Sequence, residues 1–221
     1  MFHYILDLMF PPKCPFCGRV LDRPGVCVAC GTALPRTEGT DVLWSLAGVP
    51  CAAPLWYQDQ VREAIRGLKF KGRIGTAEPL GRLLAECAEE CCPGAFDTVT
   101  WVPVSRKRRR ERGYDQARLL AESACRVWGM KPVRLLAKYR NNPAQSSLED
   151  TAARWQNVKG VYRAVGNPAG RDILLIDDVC TTGATLLACA EVLQSAGAHK
   201  VLCAAAARTP QKAENAAGEE E

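Results

Sequence analysis

The densest chemistry in this sequence lies in the run Ile173-Leu-Leu-Ile-Asp177-Asp178-Val-Cys-Thr181-Thr182-Gly183-Ala184-Thr185. Four consecutive aliphatics predict a strand buried on both faces of a parallel sheet. Two carboxylates end that strand, a loop of small hydroxyl residues follows, and then a helix begins. Ligands of open α/β sheets sit at the carboxyl ends of the strands. A helix start offers unpaired N–H groups and the positive end of the helix dipole, and both favour a phosphate. Thr181, Thr182 and Thr185 add hydroxyl donors, and Gly183 lets the backbone wrap the anion closely. Asp177 and Asp178 would repel a phosphate in direct contact. They suit the hydroxyls of a sugar attached to it, or a metal that the ligand brings. A phosphate cradle beside paired acids therefore predicts a ribose-phosphate site. The plainer alternative is an acidic strand end that only caps a helix.

A second pattern is Cys14-Pro-Phe-Cys17-Gly18 followed by Cys27-Val-Ala-Cys30-Gly31. Each CxxC brings two sulfurs onto one ion, and the glycine behind it allows the tight turn. Four thiolates close a tetrahedral shell with no open position, which predicts a structural zinc ion bound by Cys14, Cys17, Cys27 and Cys30. The segment has few apolar residues for a core, so metal must supply folding energy. Free or redox-active thiols are the competing reading, and two such pairs argue against it. The other cysteines fall in apolar patterns and suit buried small hydrophobes, apart from Cys180 inside the phosphate loop.

The third pattern is basic. Val102-Pro-Val-Ser105 runs into Arg106-Lys-Arg-Arg-Arg-Glu-Arg112-Gly113-Tyr114-Asp115-Gln116. Most charge runs are solvated faces. This one follows a β-branched strand, which aims it at the ligand crevice. Attraction of nucleic-acid phosphates is its other use.

The residues from Ile173 to Thr185 resemble the phosphoribosyl pyrophosphate (PRPP) motif of type I phosphoribosyltransferases. That resemblance implies ribose 2′- and 3′-hydroxyls on Asp177 and Asp178, with the 5′-phosphate on Thr181, Thr182, Gly183, Ala184 and Thr185. It also implies pyrophosphate binding by the loop of Ser105, Arg106 and Arg109, with Mg²⁺ accompanying PRPP. Nearly the whole chain resembles the ComF family of competence-associated proteins. The likeness runs through the CxxC pairs, Gly67-Leu-Lys69-Phe-Lys-Gly72, Val-Pro-Val…Arg112-Gly113-Tyr114-x-Gln116, Arg140…Pro143-Ala-Gln145-x-x-Leu148 and Arg154-x-x-Asn157-Val-x-Gly160. Asp115 stands where the family has Asn, and its charge argues against direct anion binding there; Asn142 stands where Thr is common. The stretch 139–157 corresponds to the mobile loop of the transferases, with Gln145 and Arg154 as candidates to reach the ligand. The resemblance implies a PRPP-binding protein acting in natural competence, with single-stranded DNA and the competence machinery as partners. An active phosphoribosyltransferase on a nucleobase or related nitrogen acceptor is the alternative.

These groups need a scaffold. Apolar spacing predicts helices over Gln60 to Phe70, Thr76 to Cys91, Gln116 to Trp128 and Thr185 to Ala196. Strands are expected at Ala53 to Trp56, Thr98 to Pro103, Ile173 to Ile176 and Lys200 to Ala205. Alternation of the two predicts an α/β fold, Rossmann-like, with a parallel sheet and helices on both faces. Residues 1–48 are expected to form a four-cysteine zinc module, 49–212 the phosphoribosyltransferase-like domain and 213–221 an acidic disordered tail. In 221 residues, 48% hydrophobic and 24% charged is a globular balance, and the net charge of +5 is concentrated in the basic run. Met1 to Pro12 lacks a basic start and a small-residue cleavage site, and no apolar run reaches the roughly 20 residues a bilayer span needs. A cytoplasmic protein with reduced thiols is expected.

Overall fold

The computed structural model describes residues 11–23, 25–140, 158 and 160–210. A short helix, α1 (Val28–Ala33), precedes the main body, whose centre is a five-stranded sheet. Strands β1 (Leu43–Leu46), β2 (Val49–Ala52), β3 (Thr98–Trp101), β6 (Asp172–Cys180) and β7 (Lys200–Arg208) lie in the order β1-β2-β7-β6-β3. β2, β7, β6 and β3 run parallel, and β1 closes the β2 edge as an antiparallel hairpin. β6 is buried on both faces, as its aliphatic run requires. Leu174 and Ile176 enter one hydrophobic cluster, while Ile173 and Leu175 enter another on the opposite face.

The first cluster is covered by α2 (Asp59–Phe70), α3 (Ala77–Cys91) and α5 (Gln116–Val127). In α2 the buried Val61, Ala64, Ile65 and Leu68 recur at three- and four-residue spacing, which puts them on one stripe. α3 and α5 approach closely at Gly81, where a Cβ would lie 2.5 Å from Ser123 Cβ. The second cluster is covered by α6 (Ala184–Ser195) and by a small antiparallel pair, β4 (Leu136–Lys138) with β5 (Tyr162–Ala164). The helix that follows β3 into the core and the helix that follows β6 thus leave to opposite faces of the sheet. Such divergence between neighbouring strands opens a crevice at their carboxyl ends, where ligands of this architecture bind.

Several expected boundaries shift. The strand expected over Ala53 to Trp56 lies at Val49–Ala52, and Leu55 and Trp56 make only isolated bridges to Arg36 and Arg208. β6 and β7 each extend to nine residues, longer than their aliphatic cores. The hairpin β1–β2 crosses the boundary expected at residue 48, so part of the N-terminal segment is built into the sheet. Arg208 ties the two together. Its guanidinium lies 3.9 Å from the centre of the Trp44 ring and 5.3 Å from that of Trp56, and it donates to the Asp41 carbonyl at 2.9 Å. The proposed tail of 213–221, with Gln145 and Arg154, lies outside the described residues. Among the described residues no helix is long and apolar enough to cross a membrane.

Candidate functional site

A cavity of about 650 Å³ opens at the carboxyl ends of β3 and β6. Asp177, Asp178 and the whole stretch from Thr181 to Thr185 line it. Gly183 caps α6 with φ at +79°, and a Cβ there would sit 2.7 Å from Leu46 Cδ2, so both conformation and space demand glycine. The first turn of α6 leaves amide N–H groups without helical carbonyl partners, as every helix start does. Thr182 Oγ1 accepts one of them, from Ala184 at 3.4 Å.

The two acids sit in different environments. Asp178 is buried, and its Oδ1 lies 2.7 Å from Lys69 Nζ at the end of α2. Its Oδ2 is buried with no hydrogen-bond partner. A buried carboxylate oxygen left unpaired is costly, and a ligand hydroxyl or a cation would satisfy it. Asp177 accepts the Asp178 N–H at 2.8 Å. Burial first, and then the neighbouring Asp178 charge, push the Asp177 carboxyl well above the usual carboxylate range, against the opposing pull of Lys69. Burial alone would lower the Lys69 pKa, but the charge and hydrogen bond of Asp178, with Asp177 and Tyr57 behind them, raise it.

The basic run forms α4 (Arg106–Arg112), started by Ser105, whose hydroxyl accepts the Arg108 N–H at 3.3 Å, and stopped by Gly113 at φ +82°. Its residues divide between two faces. Arg108 and Arg112, one turn apart, line the cavity with the acids. Arg106, Arg109 and Arg110 line a separate, open depression beside Gly113. Arg112 is fixed by Gln116 Oε1 at 2.9 Å and stands 5.0 Å from the ring centre of Phe70, which is 61% exposed at the cavity rim. The Tyr114 hydroxyl donates to the Leu68 carbonyl and so ties this loop to α2. Asp115 is buried and turns inward. One of its oxygens accepts the Val104 N–H at 3.1 Å and the other the Arg118 N–H at 3.4 Å, joining the end of β3 to the start of α5. Burial raises its pKa, partly offset by these bonds.

β4 and β5 form a hood over the cavity. Lys138 and Tyr162, directly paired across the hood, both line it. The Lys138 ammonium lies 5.3 Å from the centre of the Tyr162 ring. Burial, and then the charge of Arg108, push Lys138 down to about 8.

Near the other end of the chain, the sulfurs of Cys14, Cys17, Cys27 and Cys30 all lie within 4.8 Å of one another. Zinc–sulfur bonds of about 2.3 Å in a tetrahedron separate sulfurs by roughly 3.8 Å, so the cluster has the size of a zinc shell. Cys17 Sγ and Cys27 Sγ stand 3.6 Å apart, close to that separation. Burial would raise Cys14, but N–H groups of Cys27, Cys17 and Phe16 outweigh it and lower the thiol to about 6. Burial and the three neighbouring sulfurs push Cys30 up instead. Four crowded thiols cannot all ionise without a cation between them, and the donor set fits a closed, structural ion such as zinc.

Residues 118–218 match the family described as phosphoribosyl transferase domain. Competence protein ComFC of Bacillus subtilis (strain 168) is 30% identical over 185 residues, which cover 83% of this chain and 72% of that protein. The chain belongs to the ComF family. A second relative, DNA utilization protein YhgH of Escherichia coli (strain K12), is 28% identical over 197 residues, or 85% of this chain and 80% of that one. Among solved structures, a phosphoribosylpyrophosphate synthetase from Mycobacterium smegmatis superposes with a TM-score of 0.39 at 20% identity, over 61% of this chain and 35% of the other.

In this ComF-family chain the transferase-domain match begins beyond α4, so Lys69, Arg108 and Arg112 complete the cavity from residues before it. Of the residues singled out in the sequence, Asp177, Asp178, Thr181, Thr182, Gly183, Ala184 and Thr185 share the cavity wall, and the four module cysteines converge. Ser105 is buried as a helix cap, Arg106 and Arg109 line the outer depression, and the cations of the basic run that line the cavity are Arg108 and Arg112. Lys69, Lys138 and Phe70 were given no role from sequence. Lys69 and Phe70 stand in the Gly-Leu-Lys-Phe-Lys-Gly segment that marked the family, which was the available signal for them.

Proposed function

We propose that this protein binds PRPP, or a related ribose phosphate, with magnesium at the carboxyl end of β6, and that it serves single-strand DNA handling in the cytoplasm. One observation carries the ligand assignment. A buried acid, Asp178, has one oxygen without a partner, and the residue lines a cavity whose wall also carries a phosphate-type helix start. In this reading the 5′-phosphate takes the amides and hydroxyls of Thr181 to Thr185. The ribose hydroxyls donate to Asp177 and Asp178. Arg108 and Arg112 neutralise the diphosphate. Two carboxylates offer hard oxygen ligands, which suit magnesium carried by a polyphosphate; that ion supplies further neutralisation when bound. The ion of the four-cysteine module is structural in the same reading.

The DNA role rests on the names of the relatives, a competence protein and a DNA utilization protein. It gains support from the outward Arg106, Arg109 and Arg110 and from the exposed Phe70, a ring on which an unpaired base can stack. Active transfer to a nucleobase or related nitrogen acceptor is the second reading, favoured by the cavity volume of about 650 Å³, which leaves room beside a sugar phosphate. In it the bond from ribose C1 to pyrophosphate breaks with its electron pair leaving on the pyrophosphate. The acceptor nitrogen then forms the new C–N bond and gives up its proton.

Calorimetry with PRPP and magnesium on the wild type and on Asp177→Asn/Asp178→Asn tests the ligand; equal heats in both remove the assignment. The DNA surface is tested by a salt titration of Arg106→Ala/Arg109→Ala/Arg110→Ala with single-stranded DNA. A log–log slope shallower by about 2 is expected for three lost phosphate contacts. An unchanged slope means a solvated face.

A further inference from the structure

A sugar phosphate brings negative charge into a cavity whose wall already carries Asp177 and Asp178. Magnesium is one remedy, and it arrives with a polyphosphate. The chain holds another. Lys69 lines the same cavity, and its Nζ lies 2.7 Å from Asp178 Oδ1. The two side chains are only 21% and 5% exposed, so water screens the pair weakly and the lysine offsets the aspartate charge before any ligand enters. By taking Oδ1, Lys69 also fixes the carboxylate and leaves the buried Oδ2 as the acceptor still to be filled. The lysine is itself held by the fold. It sits in the last turn of α2, whose Val61, Ile65 and Leu68 are buried in the core, and the Leu68 carbonyl beside it accepts from the Tyr114 hydroxyl. A divalent ion on Asp178 would share that carboxylate with an ammonium 2.7 Å from one of its oxygens, and the two like charges would repel. The acids belong to the stretch that matches the transferase domain, whereas Lys69 precedes it.

We propose that Lys69 is a positioning residue of the ribose site, a resident counter-ion that holds Asp178 ready for a sugar hydroxyl and lets ribose 5-phosphate bind without a divalent metal. This rests on the ribose-phosphate reading and deepens it, because magnesium then serves the diphosphate part of the ligand alone. Without Lys69 the Asp178 charge faces an incoming phosphate uncompensated, and a divalent ion becomes free to take the place of the ammonium.

The test is calorimetry with ribose 5-phosphate on the full-length, zinc-loaded protein, in magnesium-free buffer and in millimolar magnesium, for the wild type, Lys69→Met and Lys69→Met/Asp178→Asn. Wild-type affinity should change by less than about threefold when magnesium is added. Lys69→Met should bind on the order of 10-fold more weakly in magnesium-free buffer, and magnesium should restore most of that loss. The double variant has neither the stranded charge nor its carboxylate, so its affinity should not respond to magnesium. Restoration by the ion is a readout that a packing role of Lys69 would not move. A wild type whose affinity rises by more than about threefold with magnesium overturns the proposal, and this comparison holds even where Lys69→Met fails to fold. Unweakened binding by Lys69→Met, a loss that magnesium does not restore, or a double variant that responds to magnesium as Lys69→Met does, also overturns it. In each of these cases the wild type still binds and the ribose-phosphate reading stands. A wild type that binds ribose 5-phosphate in neither buffer overturns that reading and the proposal with it.

Discussion

Replacing Lys69 by methionine would leave Asp178 as a buried carboxylate with both oxygens unpartnered. In the native protein the pair is 2.7 Å long, the side chains are 21% and 5% exposed, and the second Asp178 oxygen is already without a hydrogen bond. Removing one member of a buried pair costs about 3–5 kcal/mol, because the other charge stays behind without compensation. Lys69 borders an open cavity, so water reaches the vacated position and the lower end, about 3 kcal/mol, is the better figure. For a domain of this size that lowers Tm by roughly 6–12 °C. The pH dependence has a definite sign. Pairing raises the Lys69 pKa, so its contribution is complete throughout neutral pH and is lost only as pH rises beyond the ordinary lysine value of about 10.4. Urea unfolding of the wild type, Lys69→Met and Lys69→Met/Asp178→Asn at pH 8 measures this. The double variant should regain most of the loss at pH 8. A Lys69→Met protein within about 0.5 kcal/mol of the wild type at pH 8 would refute the reasoning.

Two other outcomes follow from groups already described. A strong chelator is expected to expose the four clustered cysteines to a thiol reagent while the parallel sheet, which has its own two cores, keeps its far-UV signal; loss of the sheet together with the metal would show the two to be one folding unit. Asp177, raised by burial and by Asp178, stabilises the free protein most when protonated, and that contribution fades as pH climbs from the unfolded carboxyl value toward the raised native one. Ribose hydroxyls favour the carboxylate, so PRPP binding should release protons and tighten with pH. Calorimetry in buffers of different ionisation heat reads that release, and Asp177→Asn with the same proton count would remove Asp177 as its source.

What was legible in the sequence is what is local in the chain. Four aliphatics, two acids and a threonine–glycine loop specify strand, turn and helix within one short stretch, and the two faces of β6 bury the aliphatics as the run demands. Contacts between distant elements were not legible. Nothing near Asp178 in the sequence names Lys69, which arrives from α2, more than a hundred residues earlier in the chain. The hood was missed because β4 and β5 are three residues each, too short for any periodicity, and a long polar segment separates them. The basic run hid its own phase: with six cations in seven positions, composition cannot say which of them turn inward, and only the start of the helix at Ser105 sets Arg108 and Arg112 toward the cavity. That start was readable, since a serine before a helix is a common cap. The same holds for Asp115, whose two oxygens serve two backbone amides, a duty for which a carboxylate is well suited.

The acid pair also limits what DNA can do in this protein under the proposed reading. A deoxyribose within a strand has no 2′-hydroxyl, and its 3′-oxygen is esterified, so it offers no donor to either carboxylate. Lodged in the cavity it would leave the buried Asp178 oxygen unsatisfied, forgoing the about 1–3 kcal/mol that a ribose hydroxyl would recover, and would bring further phosphates toward the acids. The strand is therefore confined to the outside, to Arg106, Arg109 and Arg110 and to the Phe70 rim. Those arginines belong to the same short helix whose Arg108 and Arg112 face the cavity, so the two ligands would share α4 while touching opposite sides of it. If a ligand that draws Arg108 and Arg112 inward changes how α4 presents its outer face, linkage requires the effect to be mutual. PRPP must then alter the affinity for single-stranded DNA by the same factor by which the DNA alters the affinity for PRPP.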